Sequence, residues 1–219
     1  QTVLKIMSDL CSPICISVAV KGTASSASSS VIETYKATEG ISVCSLISQI
    51  CVDNLLMPVS FGDGKLTLVR AEDAESISSN IQNPGNVLEM AFVSADTNRQ
   101  TQYITKGQRI MTPEQGLQSF LRLSGTFSDS IMRYRQKTCF PENPSNAAKC
   151  ASRSKWEGKY RAGMSRKFSY TVVGWTHSQN KKPWSIHSLV PVSDKTLNFD
   201  GELYCSDILF SRQGSKDVA

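Results

Sequence analysis

The sequence predicts a mainly β protein, with two or three short helices set into an antiparallel β-sandwich. Two observations lead there. Several segments alternate apolar and polar side chains with period two, the pattern of a strand with one buried face. Eight prolines and thirteen glycines in 219 residues punctuate the chain in a way that suits turns and strands better than a helical bundle. An apolar fraction of 40% with 20% charged residues is ordinary for a globular protein. Neither a linker nor an internal repeat divides the chain, so residues 1–219 are read as one β-rich domain.

Taken in order, residues 3–7 are apolar with one lysine and suggest a short strand. Ile14, Ile16, Val18 and Val20 alternate with Cys15, Ser17, Ala19 and Lys21, the pattern of a half-buried strand. Residues 22–30 are Gly, Thr, Ala and Ser only; such a tract buries little and reads as a flexible loop. Residues 31–36 suggest another strand. Val43, Leu46, Ile47, Ile50 and Cys51 lie three and four apart, which places them on one face of a short helix. Phe61-Gly-Asp-Gly is a turn before a strand at 65–70. Residues 71–77 are acidic and read as one or two helical turns. Asn83-Pro-Gly-Asn is a second turn, and the apolar run 87–93 after it has the length of a buried strand.

Thr112-Pro-Glu-Gln has the features of a helix start: a capping threonine, proline at the first helical position, and Gln115 in the capping-box place. Leu117, Phe120 and Leu121 would share that helix's face, and Ser124-Gly125 would end it. Residues 140–146 read as a loop. The last third reads as strands: 168–175 is aromatic and β-branched, 178–183 is a polar turn, and Trp184 to Val190 alternates. Leu197, Phe199, Leu203 and Cys205 face one way, against Asn198, Asp200, Glu202 and Tyr204. Residues 211–219 look like a polar tail.

Charge is distributed unevenly. Residues 133–182 hold twelve basic side chains against Glu142 and Glu157, a net of +10. The whole chain carries +5, so the remaining residues sum to −5. Aromatic rings are interleaved with these cations. Concentrated positive charge suits a polyanion, because cations displace counterions from phosphates and flat rings stack on unpaired bases. For single-stranded nucleic acid, RNA above all, Arg153, Lys155, Lys159, Arg161, Arg166 and Lys167 are the candidate phosphate contacts. Trp156 and Tyr160 are the candidate stacking rings; the competing role for each is to plug the edge of the β core. An anionic lipid surface or an acidic protein face would suit the same cations.

Catalytic chemistry finds little support. The two histidines, His177 and His187, stand in no local pattern with a cysteine. Cys11 and Cys15 have a permissible zinc spacing, but nothing nearby completes a set. Gly62-Asp-Gly64 falls short of a phosphate-binding loop. No catalytic residue, metal or cofactor is therefore assigned. Seven cysteines and no Asn-x-Ser/Thr acceptor lean towards free thiols in a reducing setting. Cys139 and Cys150, which bracket a Pro- and Asn-rich loop, are the one pair suited to a disulfide. No apolar run reaches the roughly 18 residues of a membrane helix, and the N-terminus lacks a signal-peptide pattern. It starts with Gln1, which fits a trimmed or proteolytically released end. The expected location is a virion or the host cytoplasm, not the secretory route.

Residues 121–134, Leu-Arg-Leu-Ser-Gly-Thr-Phe-Ser-Asp-Ser-Ile-Met-Arg-Tyr, are similar in texture to a strand pair of viral coats. Residues 198–204, Asn-Phe-Asp-Gly-Glu-Leu-Tyr, resemble a segment of nepovirus-like coats. On these segments the chain resembles the jelly-roll coat proteins of small, picorna-like RNA viruses. The resemblance implies a jelly-roll-like sandwich and a self-assembling capsid subunit that packages RNA. The sequence-level function is thus a non-enzymatic coat or nucleocapsid-type protein that self-associates and contacts nucleic acid. A peripheral matrix-type protein on anionic membrane is the alternative, and a hydrolase with a distributed active site the third.

Overall fold

The computed structural model describes residues 1–32, 39–110, 120–130, 133–141, 146–177, 181–213 and 216–218. Residues 3–7 are not a strand. They belong to helix α1 (Val3–Cys11), capped by Thr2, whose Oγ1 accepts the Lys5 N–H at 3.3 Å. Val3, Met7 and Cys11, four apart, form its buried side, a spacing that a five-residue window cannot reveal. A 3-10 turn, Ser12–Ile14, leads into β1 (Ser17–Val20). The small-residue tract is not an open loop either: it contains α2 (Ala24–Ser28), with Ala24 and Ser28 buried. Val31 makes a single bridge to Thr2, and residues 33–36 of the expected strand lie outside the described residues.

Helix α3 (Val43–Asp53) forms as its periodicity requires and buries Leu46, Ile47, Ile50 and Cys51. It precedes β2 (Met57–Val59) and β3 (Lys65–Val69). Strand β3 is central, with β1 parallel on one side and β2 antiparallel on the other. The helices supply one side of the core here: Val3, Met7, Ile50 and Cys51 cluster with Leu56 and Leu68. Helix α1 has six apolar positions in nine and is held in place by the burial of Val3, Met7 and Cys11.

Of the one or two helical turns expected in 71–77, one forms, a 3-10 turn at Ala71–Asp73, and it leads to β4 (Glu75–Ser76) and β5 (Ile81–Asn83). The Asn83–Pro84 peptide is cis, in the turn before β6 (Val87–Ser94). Strand β6 is mostly exposed rather than buried. Next come β7 (Gln102–Ile110), β8 (Phe120–Ser128) and β9 (Gln136–Cys139). The helix expected from Thr112 falls on residues 111–119, outside the described residues. Its expected end is overturned: Ser124 and Gly125 sit mid-strand in β8, which pairs with β7 from Gln102 opposite Ser128 to Ile110 opposite Phe120.

Helix α4 (Ala147–Met164) follows, then β10 (Arg166–Val172), which runs antiparallel to β6. Strands β11 (Thr176–His177) and β12 (Lys182–Pro183) pair around the predicted polar turn. Strands β13 (Ser188–Asp194) and β14 (Phe199–Cys205) are antiparallel, with β4 and β5 both parallel alongside β13. The expected polar tail instead contains β15 (Ser211–Gln213) paired with β16 (Lys216–Val218).

The fold is mainly β, as the alternation implies, and among the described residues four α-helices join the strands, against the two or three expected. Two facing antiparallel sheets of the jelly-roll kind are not what the strands build. Among the described residues they fall into separate sheets of two to four strands. Parallel pairs occur in three of them: β1 with β3, β7 with β9, and β13 with β4 and β5. Parallel neighbours require crossover connections, and three of the described helices lie within them: α2 and α3 between β1 and β3, and α4 between β5 and β13. No described helix is long and apolar enough to cross a membrane.

Candidate assembly interface

Helix α4 carries five of the twelve cations of the basic block: Lys149, Arg153, Lys155, Lys159 and Arg161. Asn146 starts it, accepting the Lys149 N–H on Oδ1 at 2.8 Å. The side turned to β7 and β8 consists of Cys150, Ser154, Glu157 and Gly158, all buried, and none of them a large apolar residue. Glycine makes this close seat possible. A Cβ on Gly125 of β8 would stand 2.1 Å from the Ala151 backbone nitrogen. One on Gly158 would stand 2.4 Å from the Phe127 ring. Ser154 completes the seat. Its hydroxyl donates to the Gly125 carbonyl at 2.8 Å, lies 2.7 Å from Thr105 Oγ1 and accepts the Thr105 N–H at 3.0 Å.

Glu157 lies at the margin of this seat and draws three cations inward. Arg153 Nη1 donates to it at 2.9 Å and Arg161 Nε at 2.6 Å, from one turn before and one turn after. Lys137 Nζ approaches from β9 at 3.3 Å. Burial pushes the Glu157 carboxyl up, but the hydrogen bonds and charges of Arg161 and Arg153 outweigh it and hold the group below its usual value. Arg161 also donates through Nη1 to the Asn98 carbonyl at 2.8 Å. Arg153 stands 4.0 Å from Asp53 at the end of α3.

The outward side of α4 has a different character. Trp156 and Tyr160, one turn apart, stack on each other with centroids 5.1 Å apart and planes 3° from parallel. The Arg153 guanidinium covers the Trp156 ring at 5.0 Å. Tyr160 is 50% exposed and Met164, one turn further, 47%. The ridge runs into an open groove of about 320 Å³ between the end of α4 and the ribbon β6/β10, lined by Val93, Ala95, Met164, Arg161 and Lys167 among others. Lys155 and Lys159 flank the ridge; Arg166 and Lys167 begin β10 at its foot, opposite Ser94 and Val93. These four cations are exposed.

The eight residues singled out from the sequence are therefore gathered on one helix and the strand that leaves it. They are not equivalent. Arg153 and Arg161 are bound to Glu157, and Trp156 lies between the Arg153 guanidinium and Tyr160. Lys155, Lys159, Tyr160, Arg166 and Lys167 face outward. Sequence reading missed Glu157 as a hub, and Met164 and Val93 as ridge and groove. The signal for Glu157 was its place four residues from both Arg153 and Arg161, which matters only once the segment is helical. Cys139 and Cys150 are free thiols, not a disulfide. Burial pushes the Cys139 and Cys205 thiols up, opposite to the shift that makes a nucleophilic thiolate.

No protein-family model matches the chain, and no curated protein matches it. Solved structures do. The 43 kDa tail protein of prophage MuSo2 from Shewanella oneidensis is similar over 100% of this chain, with TM-score 0.79 and 25% sequence identity. A tail protein from Neisseria meningitidis MC58 matches over 93%, with TM-score 0.71 and 16% identity. A chain of the virion of a native gene transfer agent particle matches over 100%, with TM-score 0.61 and 9% identity. This chain spans 64%, 60% and 47% of those chains respectively. The resemblance to jelly-roll coats of RNA viruses is thereby overturned: the fold is shared with phage-tail and particle proteins. Short strand-like stretches resemble one another in unrelated β proteins, because alternation encodes burial and not topology.

Proposed function

We propose that this chain is a structural, non-enzymatic part of a phage-tail-like particle, joined to other subunits through the outward ridge of α4 and the groove at its foot. One observation carries this reading: the whole of this chain matches 64% of a prophage tail protein, at 25% identity. The ridge supports it. Tyr160 and Met164 are large side chains left half open beside Lys155, Lys159, Arg166 and Lys167, which form no ion pair among the described residues, and this is the composition of an interface core with a charged rim. Self-association, expected from the sequence, belongs to this reading, and so does a place in the assembled particle. Contact with nucleic acid would fall to Lys155, Lys159, Arg166 and Lys167 alone.

The test is whether the protein travels with particles. Lysates of the cell that encodes it are fractionated, and the particles are imaged and digested for mass spectrometry. The chain should be present in purified particles in a fixed ratio to the other tail proteins, and deleting its gene should leave particles without complete tails. Intact tails in the deletion strain would refute the proposal. A filter-binding assay with single-stranded RNA addresses the sequence-level alternative, and tight, salt-sensitive binding there would favour a nucleic-acid role.

A further inference from the structure

Self-association needs a surface for the ridge to meet, and the same chain provides one of opposite charge. Strand β14 is an edge: among the described residues it pairs only with β13. Its outward side chains are Asp200, Glu202 and Tyr204, all exposed. Just beyond the strand follow Asp207, Leu209, which is 81% exposed, and Phe210. Asp200 makes no side-chain hydrogen bond or ion pair among the described residues. Among the described residues the Glu202 carboxylate accepts a side-chain hydrogen bond only from Ser76 Oγ, at 2.9 Å, and the Asp207 carboxylate only from Ser206 Oγ. This face is acidic and apolar where the α4 ridge is basic and apolar.

We propose that the α4 ridge of one copy docks on the β14 face of a second copy. The inference rests on the reading of this chain as an assembling structural subunit. Lys155 and Lys159 face Asp200 and Glu202 across the contact, and Tyr160 and Met164 meet Tyr204 and Leu209. The contact is between unlike surfaces. A ridge meeting another ridge would set lysine against lysine, and a β14 face meeting itself would set carboxylate against carboxylate, both unfavourable. A contact between unlike surfaces leaves one face of each kind free at the ends, so further copies can add. The division of charge over the chain, +10 in residues 133–182 and −5 in the rest, is what a head-to-tail contact of this kind uses. An edge strand without proline or lysine is otherwise an open invitation to unwanted pairing, and β14 has neither.

The test is charge exchange between the two faces. One variant carries Lys155→Glu with Lys159→Glu, the other Asp200→Lys with Glu202→Lys. Wild-type protein at low salt should sediment as assemblies larger than a monomer. Each double variant alone should bind itself at least about tenfold more weakly. An equimolar mixture should recover assembly, because each reversed face then meets a complement. All four positions are exposed, so both variants should keep the wild-type far-UV spectrum and melting temperature. If either double variant does not, Lys159→Gln and Asp200→Asn replace them, and each should still weaken assembly measurably. Wild-type assembly that neither face alters, or a mixture that does not recover, overturns this contact while leaving the tail-protein reading standing. Assembly that proceeds only when RNA is added also overturns it. A wild-type protein that stays monomeric at every concentration and salt, and is absent from particles, overturns both.

Discussion

Two glycines in α4 make a sharp test of how that helix is seated. Replacing Gly158 or Gly163 by alanine gains about 0.8–1 kcal/mol of helix propensity in each case. The surroundings differ completely. A Cβ on Gly163 meets nothing within 4 Å, so the gain is kept, reduced somewhat by its place in the last turn. A Cβ on Gly158 lies 2.4 Å and 2.5 Å from two atoms of the Phe127 ring and 3.2 Å from the Tyr103 ring. Carbon atoms rest at about 3.5–4.0 Å, so ring or helix must retreat by about 1 Å. Tyr103, which the same Cβ would also crowd, is completely buried and cannot swing aside. Overpacking of this degree costs about 1–3 kcal/mol. Gly163→Ala should therefore raise the melting temperature by about 1–3 °C, and Gly158→Ala, left with a net cost of up to about 2 kcal/mol once its propensity gain is subtracted, should lower it by up to about 8 °C, at about 2–4 °C per kcal/mol for a chain of this size. Thermal and urea unfolding followed by circular dichroism read both. Equal shifts for the two variants would mean that α4 is not seated on β8 through Gly158.

Other expectations follow from the same geometry. Glu157→Gln leaves Arg153, Arg161 and Lys137 around a neutral group and should cost about 1–3 kcal/mol at neutral pH, measured by urea unfolding. Because the fold holds the Glu157 carboxyl below its usual value, its stabilisation is full above the unfolded value of about 4.3. It is lost as pH falls through the folded value; the wild type should thus lose more stability on acidification than Glu157→Gln does. Thiol titration of native protein should label the exposed Cys15 and Cys44 first, whereas Cys51, fully buried with its thiol pushed up to about 12 by burial, should react only after unfolding. Tyr170, raised to about 12 by burial and by its hydrogen bond to Asp194, should ionise above the ordinary tyrosine range in a spectrophotometric titration, and Tyr170→Phe should remove that step.

How legible an element was depended on whether its buried face is apolar. Helix α3 announces itself because Leu46, Ile47, Ile50 and Cys51 are both buried and apolar. Strand β14 does so because Phe199, Leu203 and Cys205 alternate with exposed Asp200, Glu202 and Tyr204. Helix α4 is the longest in the described structure, and its apolar pattern is faint. Its buried face is a thiol, a hydroxyl, a carboxylate and a glycine, and its tryptophan and tyrosine point outward. A search for apolar residues at helical spacing has nothing to find there. The failure at Ser124-Gly125 has a related cause. Glycine in a strand signals a close approach as readily as a helix end, and here the approaching object is α4, which sequence reading had not placed.

The basic block shows what a charge count reaches and where it stops. Clustering of cations in residues 133–182 was plain from the sequence, and the structure collects the eight chosen residues on α4 and the start of β10. A count cannot tell a phosphate backbone from an acidic protein surface, since both ask only for positive charge. Pairing inside the fold narrows the choice. Glu157 engages Arg153 and Arg161, the two arginines on α4 itself. Arginine has the fork geometry suited to phosphate, while lysine acts as a point charge. The cations that α4 itself turns outward are lysines, Lys149, Lys155 and Lys159, the last two beside an aromatic ridge whose two rings already stack on each other. A base seeking to intercalate would have to part Trp156 from Tyr160 and leave the Arg153 cover in place. A flat protein face carrying carboxylates and apolar side chains needs no such rearrangement, which favours a protein partner over a nucleic acid at this site.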